Sequence, residues 1–403
     1  MPQELVTDPD KISQVLTRGV EQILPSMEAL AKRMAESPIR LYLGIDPTGS
    51  DLTLGHSVVL RKLQQFAQLG HEVILLVGNG TVRIGDPTGR DSTRPELTDD
   101  QIMANFAHWQ EQASKILDFS LITIKKNGDW LDQLTYIDMI KLLANTTVQQ
   151  LIERDMFQKR LQEEKPIFGH EIIYPLIQGY DSVAMDVDLE IGGSDQLFNM
   201  MMGRSLQKTY NNKEKWVLTT PIINGTDGRK MSKSYSNYIA LTEDPIQMYG
   251  KIMSVVDDQI IPYFTVLTDV ELSEVEKMQQ AMTAGENPME FKKRLAFTIT
   301  ESYHNVALAR EAQEHFERVV QQQTPPEDLP KVTTPSANPT VLELVGACCP
   351  ALSRTEQRRL IEQGAVRLND QKLQDFAATI AIKTDDILKV GKREYYQLVV
   401  TTT

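Results

Sequence analysis

Leu41-Tyr42-Leu43-Gly44-Ile45-Asp46-Pro47-Thr48, followed by Gly49-Ser50-Asp51-Leu52-Thr53-Leu54-Gly55-His56, is the stretch on which the fold turns. Leu41, Leu43 and Ile45 suit a buried strand, and Asp-Pro-Thr-Gly breaks it. From Gly55 to Leu69, apolar Val58, Val59, Leu63 and Phe66 recur at helical spacing, so the pattern predicts strand, tight turn and helix. Such a turn aims backbone N–H groups and the positive end of a helix dipole at whatever lies above the strand, which favours an anion. His56 falls near the helix start, where a lone His serves capping or packing equally well.

Outward from this unit, His71-Glu72-Val73-Ile74-Leu75-Leu76-Val77-Gly78 reads as a strand buried on both faces, as parallel sheets require. Strand, helix and strand at this spacing make a right-handed crossover, and the topology points to a doubly wound sheet. The second strand runs into Gly78-Asn79-Gly80-Thr81-Val82-Arg83-Ile84-Gly85-Asp86-Pro87-Thr88-Gly89-Arg90, whose glycines permit close approach to a ligand. Asp86 is its one carboxylate; Asp-Pro is also a strong turn former. Asp91 to Pro95 is polar and reads as a mobile loop. Helical segments are expected at Asp99–Leu117 and Tyr136–Leu161, with a strand at Leu121–Ile124 between them, and the residues before Pro38 read as helical.

Tyr174, Gln178 and Asp181 stand at i, i+4 and i+7 among Ile172, Ile173, Leu176 and Ile177, which places three polar groups on one helix face. A polar stripe facing a core is costly unless it meets a ligand or partner. Asp186–Ile191 resembles a strand ending in Gly192-Gly193-Ser194-Asp195-Gln196, and a helix follows to Tyr210. Glycines and a carboxylate at a strand's carboxyl end suit a ribose, and Ser194 or Asp195 equally suits an N-cap. Further on, Gly228-Arg229-Lys230-Met231-Ser232-Lys233-Ser234 follows the turn-rich Asn224-Gly225-Thr226-Asp227. Two lysines three apart on a loop suit a polyphosphate, or are simply a solvated basic loop.

From Pro245 the pattern is helical as far as Gln321; residues 322–339, rich in Pro and Thr, read as a linker, and 340–403 as a small separate domain. There Ser353 and Glu356 form a capping box ahead of Arg354, Arg358 and Arg359 at helical spacing, and Arg367 begins a run of short strands ending at Lys389-Val390-Gly391-Lys392-Arg393. The expected domains are therefore 1–244, 245–321 and 340–403. At 403 residues, 41% apolar and 24% charged, the chain has the composition of a multidomain globular protein. No signal-like start is visible, and the adjacent Cys348 and Cys349 suit packing in a reducing compartment, so the cytoplasm is the expected location. The net charge of −13 disfavours a generic nucleic-acid binder. Residues 340–403, with nine Lys and Arg against eight Asp and Glu, are locally better suited.

Taken together, Leu54-Gly55-His56 resembles the first signature of class I aminoacyl-tRNA synthetases, usually His-Ile-Gly-His, and Lys230 to Ser234 matches the second, Lys-Met-Ser-Lys-Ser, letter for letter. Within that class the chain resembles the tyrosyl-tRNA synthetases over nearly its whole length. The resemblance implies a Rossmann-like α/β catalytic domain with an inserted piece that helps form a homodimer, an α-helical domain, and an α+β RNA-binding domain like that of small-subunit ribosomal protein S-four. It implies ATP, L-tyrosine and tRNA(Tyr) as substrates, Mg²⁺ arriving with ATP, and no structural metal.

Residue by residue, Tyr42 and Asp181 match the pair that bonds the substrate's phenolic hydroxyl. Thr81, Asp86, Tyr174 and Gln178 match groups around the rest of the tyrosine. Gly193, Asp195 and Gln196 match ribose and carboxylate contacts. Asp46, Thr48, Gly55 and His56 match the nucleotide loop; Lys230, Met231 and Lys233 match the pyrophosphate clamp; Thr48, His56, Lys230 and Lys233 are the expected catalytic groups. Arg354, Arg358, Arg359 and Arg367 match an RNA-binding face.

Two positions depart from the family pattern. Thr53 stands where a His commonly grips the γ-phosphate, and Leu43 where a small polar group often meets the ribose. Tryptophanyl-tRNA synthetases are the nearest rival, but they would not need Tyr42 with Asp181 or the C-terminal module. A synthetase-derived RNA-binding protein without activation chemistry is suggested by Thr53 alone. A nucleotidylyltransferase acting on a small metabolite would share the first signature and have no use for an RNA module.

Overall fold

The computed structural model describes residues 4–49, 51–88, 97–321, 329–334, 336–369, 371–391 and 394–400. The chain divides into two compact units, residues 1–303 and 304–403.

In the first unit, α1 (Pro9–Thr17), β1 (Gln22–Leu24) and α2 (Met27–Glu36) lead into β2 (Arg40–Ile45), α3 (Leu54–Gln68) and β3 (Glu72–Val77). A short 3₁₀ turn at Thr81–Arg83 and α4 (Asp99–Ala113) precede β4 (Ile122–Lys126). Then come α5 (Gly128–Leu131), α6 (Tyr136–Leu143), α7 (Val148–Ile152), α8 (Asp155–Gln162) and α9 (Gly169–Met185). Strand β5 (Leu189–Gly193), α10 (Leu197–Asn211) and β6 (Trp216–Thr220) complete the sheet. Helices α11 (Pro245–Met253), α12 (Ile260–Leu267), α13 (Leu272–Thr283) and α14 (Pro288–Tyr303) close the unit, with α12 packed on α3 and α14.

The sheet runs β1-β6-β5-β2-β3-β4 and is parallel except at β1, which pairs antiparallel with β6. The doubly wound sheet expected from the sequence is thus present, and chain order reverses between β2 and β5, the place where open sheets of this kind bind ligands. Residues 73–77 of β3 are all buried, which accounts for the unbroken apolar run.

Three local expectations need correction. The N-terminal segment is two helices with a sheet-edge strand between them, because Ser26 restarts the helix after Pro25. The segment Tyr136–Leu161 is three short helices, since Thr147 caps α7 and Arg154, in extended backbone, precedes α8. Part of the stretch read as a linker, Lys331–Thr334, is a strand. Residues 322–328 of that stretch and the polar loop 91–95 lie outside the described residues.

The second unit contains α15 (Val306–Phe316), β7 (Lys331–Thr334), α16 (Val341–Cys348), α17 (Arg354–Glu362), β8 (Val366–Leu368), β9 (Gln371–Leu373), β10 (Ile387–Val390) and β11 (Glu394–Val400). Its sheet is ordered β7-β11-β10-β8-β9, with β7 parallel to β11. Val341, Leu344, Val345, Ile361, Val366, Leu388 and Leu398 make its core, and both cysteines are buried as free thiols in it. The expected capping box is formed: Ser353 Oγ accepts from Glu356 N–H while the Glu356 carboxylate accepts from Ser353 N–H.

Candidate active site

A cavity of about 290 Å³ opens at the carboxyl ends of β2 and β5. Tyr42, Asp46, Thr48, His56, Thr81, Asp86, Tyr174, Gln178, Asp181, Gly193, Asp195 and Gln196 all line it. Gly55, Lys230, Met231 and Lys233 do not.

At its closed end Tyr42 and Asp181 are both buried. Asp181 accepts Nδ2–H of Asn127 at 3.1 Å and the indole N–H of Trp130 at 2.9 Å. Asn127 is oriented by Gly80, whose backbone N–H donates to its Oδ1 at 2.8 Å, so both Asp181 oxygens face fixed donors. Burial pushes the Asp181 carboxyl well above its ordinary range, while those two bonds pull it down. Burial also raises the Tyr42 hydroxyl, which keeps its proton and shares a 3.0 Å bond with Ser182 Oγ.

Above this floor Asp46 accepts from Thr81 Oγ1 at 2.7 Å and from the Tyr174 hydroxyl at 2.8 Å. A Cβ at Gly78 would lie 2.0 Å from Asp46 Oδ1, so only glycine fits there. Asp86 fills both roles open to it in the sequence: one oxygen accepts from Thr88 N–H and Oγ1–H within its turn, and the other accepts Gln196 Nε2–H at 2.8 Å. Buried Arg154 donates to Thr88 Oγ1 at 2.7 Å and lies over the Phe198 ring. Gln178 donates to Glu190 at 3.1 Å and accepts from Asn199.

Thr53 is the N-cap of α3, and its backbone N–H donates to His56 Nδ1 at 3.1 Å. That bond leaves the imidazole proton on Nε2. Burial, then Lys233, lower the His56 pKa to about 4, so the ring is neutral. Trp109 and Asn105 of α4 hold the loop after β2 through the carbonyls of Gly49 and Pro47.

At the rim, Lys230 pairs with Asp195 at 2.9 Å and Lys233 with Asp51 at 3.9 Å, all substantially exposed. Exposed pairs of this kind contribute little, at most about 1 kcal/mol, so the ammonium groups exchange partners readily. Asn237 shapes the lysine loop by accepting Ser232 N–H at 2.8 Å and donating to the carbonyls of Arg229 and Lys230.

In the second unit Arg354, Arg358, Arg359 and Arg367 are all exposed. Arg358 rests over Phe376. Arg367 of β8 faces Lys372 of β9 and Lys389 of β10 across the sheet.

Sequence reasoning missed Asn127, Trp130, Ser182, Glu190, Lys215 and Asn237. Asn127-Gly128 carries no local signal beyond that of a turn, and Glu190 with Lys215 offered two charges beside apolar strand residues, a signal that a buried ion pair was present.

The family described as class I tRNA synthetases (W and Y) matches residues 34–321. The tyrosine–tRNA ligase of Thermotoga maritima is 42% identical over 97% of this chain and 98% of its own. That of Symbiobacterium thermophilum is 44% identical over the same shares of 97% and 98%. The solved structure of a C-terminally truncated mitochondrial tyrosyl-tRNA synthetase from Aspergillus nidulans is similar in fold, with a TM-score of 0.64 at 20% identity, covering 77% of this chain and 94% of its own. Sheet order, cleft and full-length similarity agree, and the chain belongs to the class I tRNA synthetases for tryptophan and tyrosine.

Proposed function

We propose that this chain is a tyrosine–tRNA ligase whose cleft joins L-tyrosine to ATP, releasing pyrophosphate, and then passes tyrosine to the 3′ end of tRNA(Tyr). The carrying observation is a buried Tyr42 and Asp181 at the floor of a cavity whose rim carries two exposed lysines. Asp181 accepts a hydrogen bond from the substrate's phenol O–H and Tyr42 donates one to its oxygen. Asp86, Tyr174 and Gln178 hold the α-ammonium, with Thr81 and Asp46 bracing that end. Gly193, Asp195 and Gln196 take the ribose and the substrate carboxylate; Thr48, Gly55 and His56 take the nucleotide.

The tyrosine carboxylate attacks the α-phosphorus of ATP and pyrophosphate leaves, so no side chain has to act as a covalent nucleophile. ATP enters as its Mg²⁺ complex, the metal riding on phosphate oxygens. Lys230 and Lys233 leave Asp195 and Asp51 to neutralise the developing charge. Thr53, committed to His56, supplies no cation, and these lysines carry that load.

Arg367 stands between Lys372 and Lys389 on the neighbouring strands of the second unit's sheet, and with Arg354, Arg358 and Arg359 these cations suit the tRNA backbone. Exposed Tyr136, Ile137, Ile140 and Leu143 on α6 suit a homodimer interface. A role in translation suits a cytoplasmic protein; among the described residues no helix is long and apolar enough to cross a membrane.

The test is amino-acid-dependent exchange of labelled pyrophosphate into ATP, with tyrosine, phenylalanine and tryptophan in parallel. Exchange is expected with tyrosine. Sites built to bond a substrate hydroxyl reject the analogue lacking it by about 10⁴–10⁵, a range for which tyrosyl-tRNA synthetases are themselves the reference case. Asp181→Ala should raise the tyrosine KM and erase most of that preference; unchanged kinetics for both amino acids would remove Asp181 from the pocket.

A further inference from the structure

Beneath the cavity floor lies a buried polar group that the reaction itself does not use. Lys215, immediately before β6, is 0% exposed, and Glu190 of β5 is 2% exposed. Lys215 Nζ contacts Glu190 Oε2, donates to Ser182 Oγ at 2.7 Å and to the Met200 carbonyl at 3.2 Å. It also lies 5.8 Å from the centre of the Tyr42 ring. The other Glu190 oxygen accepts from Gln178. Space is reserved for the cluster: a Cβ at Gly203 would fall 2.6 Å from Lys215 Nζ and 2.8 Å from Ser182 Oγ.

We propose that Lys215 and Ser182 are positioning residues for tyrosine selection, forming a one-way donor chain in which Lys215 donates to Ser182, Ser182 to Tyr42, and Tyr42 to the substrate phenol. The direction follows from what each atom can do. An ammonium only donates, and its three protons are matched by three acceptors, so Ser182 Oγ must accept from it. The Ser182 proton is then free to meet the Tyr42 oxygen 3.0 Å away. Tyr42, accepting from Ser182, keeps its own proton for a second acceptor: the Glu190 carboxylate, with which it also hydrogen-bonds, while the cleft is empty, and the phenol oxygen once tyrosine is bound. Both Asp181 oxygens already accept N–H bonds, and that carboxylate also accepts the hydrogen bond of the substrate's phenol O–H. Without Lys215, Ser182 can donate elsewhere and Tyr42 can donate backwards, leaving the phenol oxygen without its donor. Buried chains of this kind polarise one another, and an unpaired member is costly.

The proposal rests on the tyrosine reading of the cleft, and its test separates the two. Two variants are compared with the wild type in pyrophosphate exchange: Ser182→Ala, which cuts the chain and keeps the ion pair, and the double variant Lys215→Met with Glu190→Gln, which removes both charges together. The readout is the ratio of kcat/KM for tyrosine to kcat/KM for phenylalanine, which is independent of how much enzyme is folded. Each variant is expected to lower that ratio by at least about tenfold, through a higher tyrosine KM and with phenylalanine little changed. A purely structural role would lower yield or melting temperature and leave the ratio alone. If the wild type exchanges with tyrosine and both variants keep its ratio within twofold, the donor chain is wrong and the functional reading stands. If the wild type shows no tyrosine-dependent exchange, both fall.

Discussion

Thr53 N–H to His56 Nδ1 is a single bond with a titration consequence. It fixes the tautomer, and burial beside Lys233 takes the pKa down to about 4. His71, buried under β2 and β3 with Ile39 N–H on its Nδ1, is likewise lowered to about 4 by burial and then Arg33. Both imidazoles have an ordinary value of 6.5, so the unfolded chain takes up these protons before the folded one does. Stability is therefore full above about pH 6.5 and falls as pH drops toward 4, with a slope of up to about 2.7 kcal/mol per pH unit if both contribute. Urea titrations between pH 6.5 and 5 should show it, His71→Gln should flatten it, and ¹⁵N shifts of His56 should report a neutral Nε2–H ring at pH 6. An inflection near 6.5 for His56 would contradict the bond. At this scale the sequence was readable where chemistry repeats at a fixed spacing, as in Tyr174, Gln178 and Asp181. It was not readable for Asn127 and Trp130, which reach Asp181 from a separate chain segment after β4. Nothing local to those residues distinguishes a pocket partner from a turn Asn and a packing Trp.

Among the elements, the parallel strands were legible because full burial forces an unbroken apolar run, and α3 and α9 because one face of each is apolar. The segment between Tyr136 and Leu161 was not, although Thr135 with Asp138 and Thr147 with Gln150 both follow the capping-box spacing and mark helix starts. Helical composition continued across the breaks and hid them. The break before α8 has a use: the chain turns so that Arg160 meets Glu171 of α9 in a bidentate pair at 2.9 Å, both side chains being nearly fully buried. Replacing a buried pair by apolar groups is often tolerated, whereas removing one partner leaves a bare charge and costs about 3–5 kcal/mol. Glu171→Gln should thus lower the urea midpoint strongly, and Arg160→Met with Glu171→Met should recover most of the loss. If the double variant were as unstable as the single one, lost packing rather than the unpaired guanidinium would be the cause.

On the scale of the whole molecule, the same insertion carries the surface proposed for dimerisation and a side chain of the cleft. Tyr136, Ile137, Ile140 and Leu143 of α6 are 80%, 61%, 48% and 42% exposed, and Val148 at the start of α7 is 63% exposed. Tyr136, Ile140 and Leu143 stand at i, i+4 and i+7, one continuous stripe that a second copy would cover. A chain with net charge −13 needs such an apolar contact to offset the repulsion between two like-charged copies. From that stripe the backbone passes through α7 to Arg154, which donates to Thr88, and Thr88 donates to Asp86 at the expected ammonium site. Association through the proposed surface would therefore be linked by covalent chain and hydrogen bonds to the tyrosine end of the cleft, and Lys230 and Lys233 have no part in that path. Ile137→Asp with Ile140→Asp is expected to give monomers in sedimentation velocity and to raise the tyrosine KM by about tenfold, roughly the loss of one charge-assisted hydrogen bond, while the ATP KM changes less than twofold. An unchanged sedimentation coefficient would move the interface elsewhere. Monomers with an unaltered tyrosine KM would show that Arg154 holds Asp86 without help from a second copy.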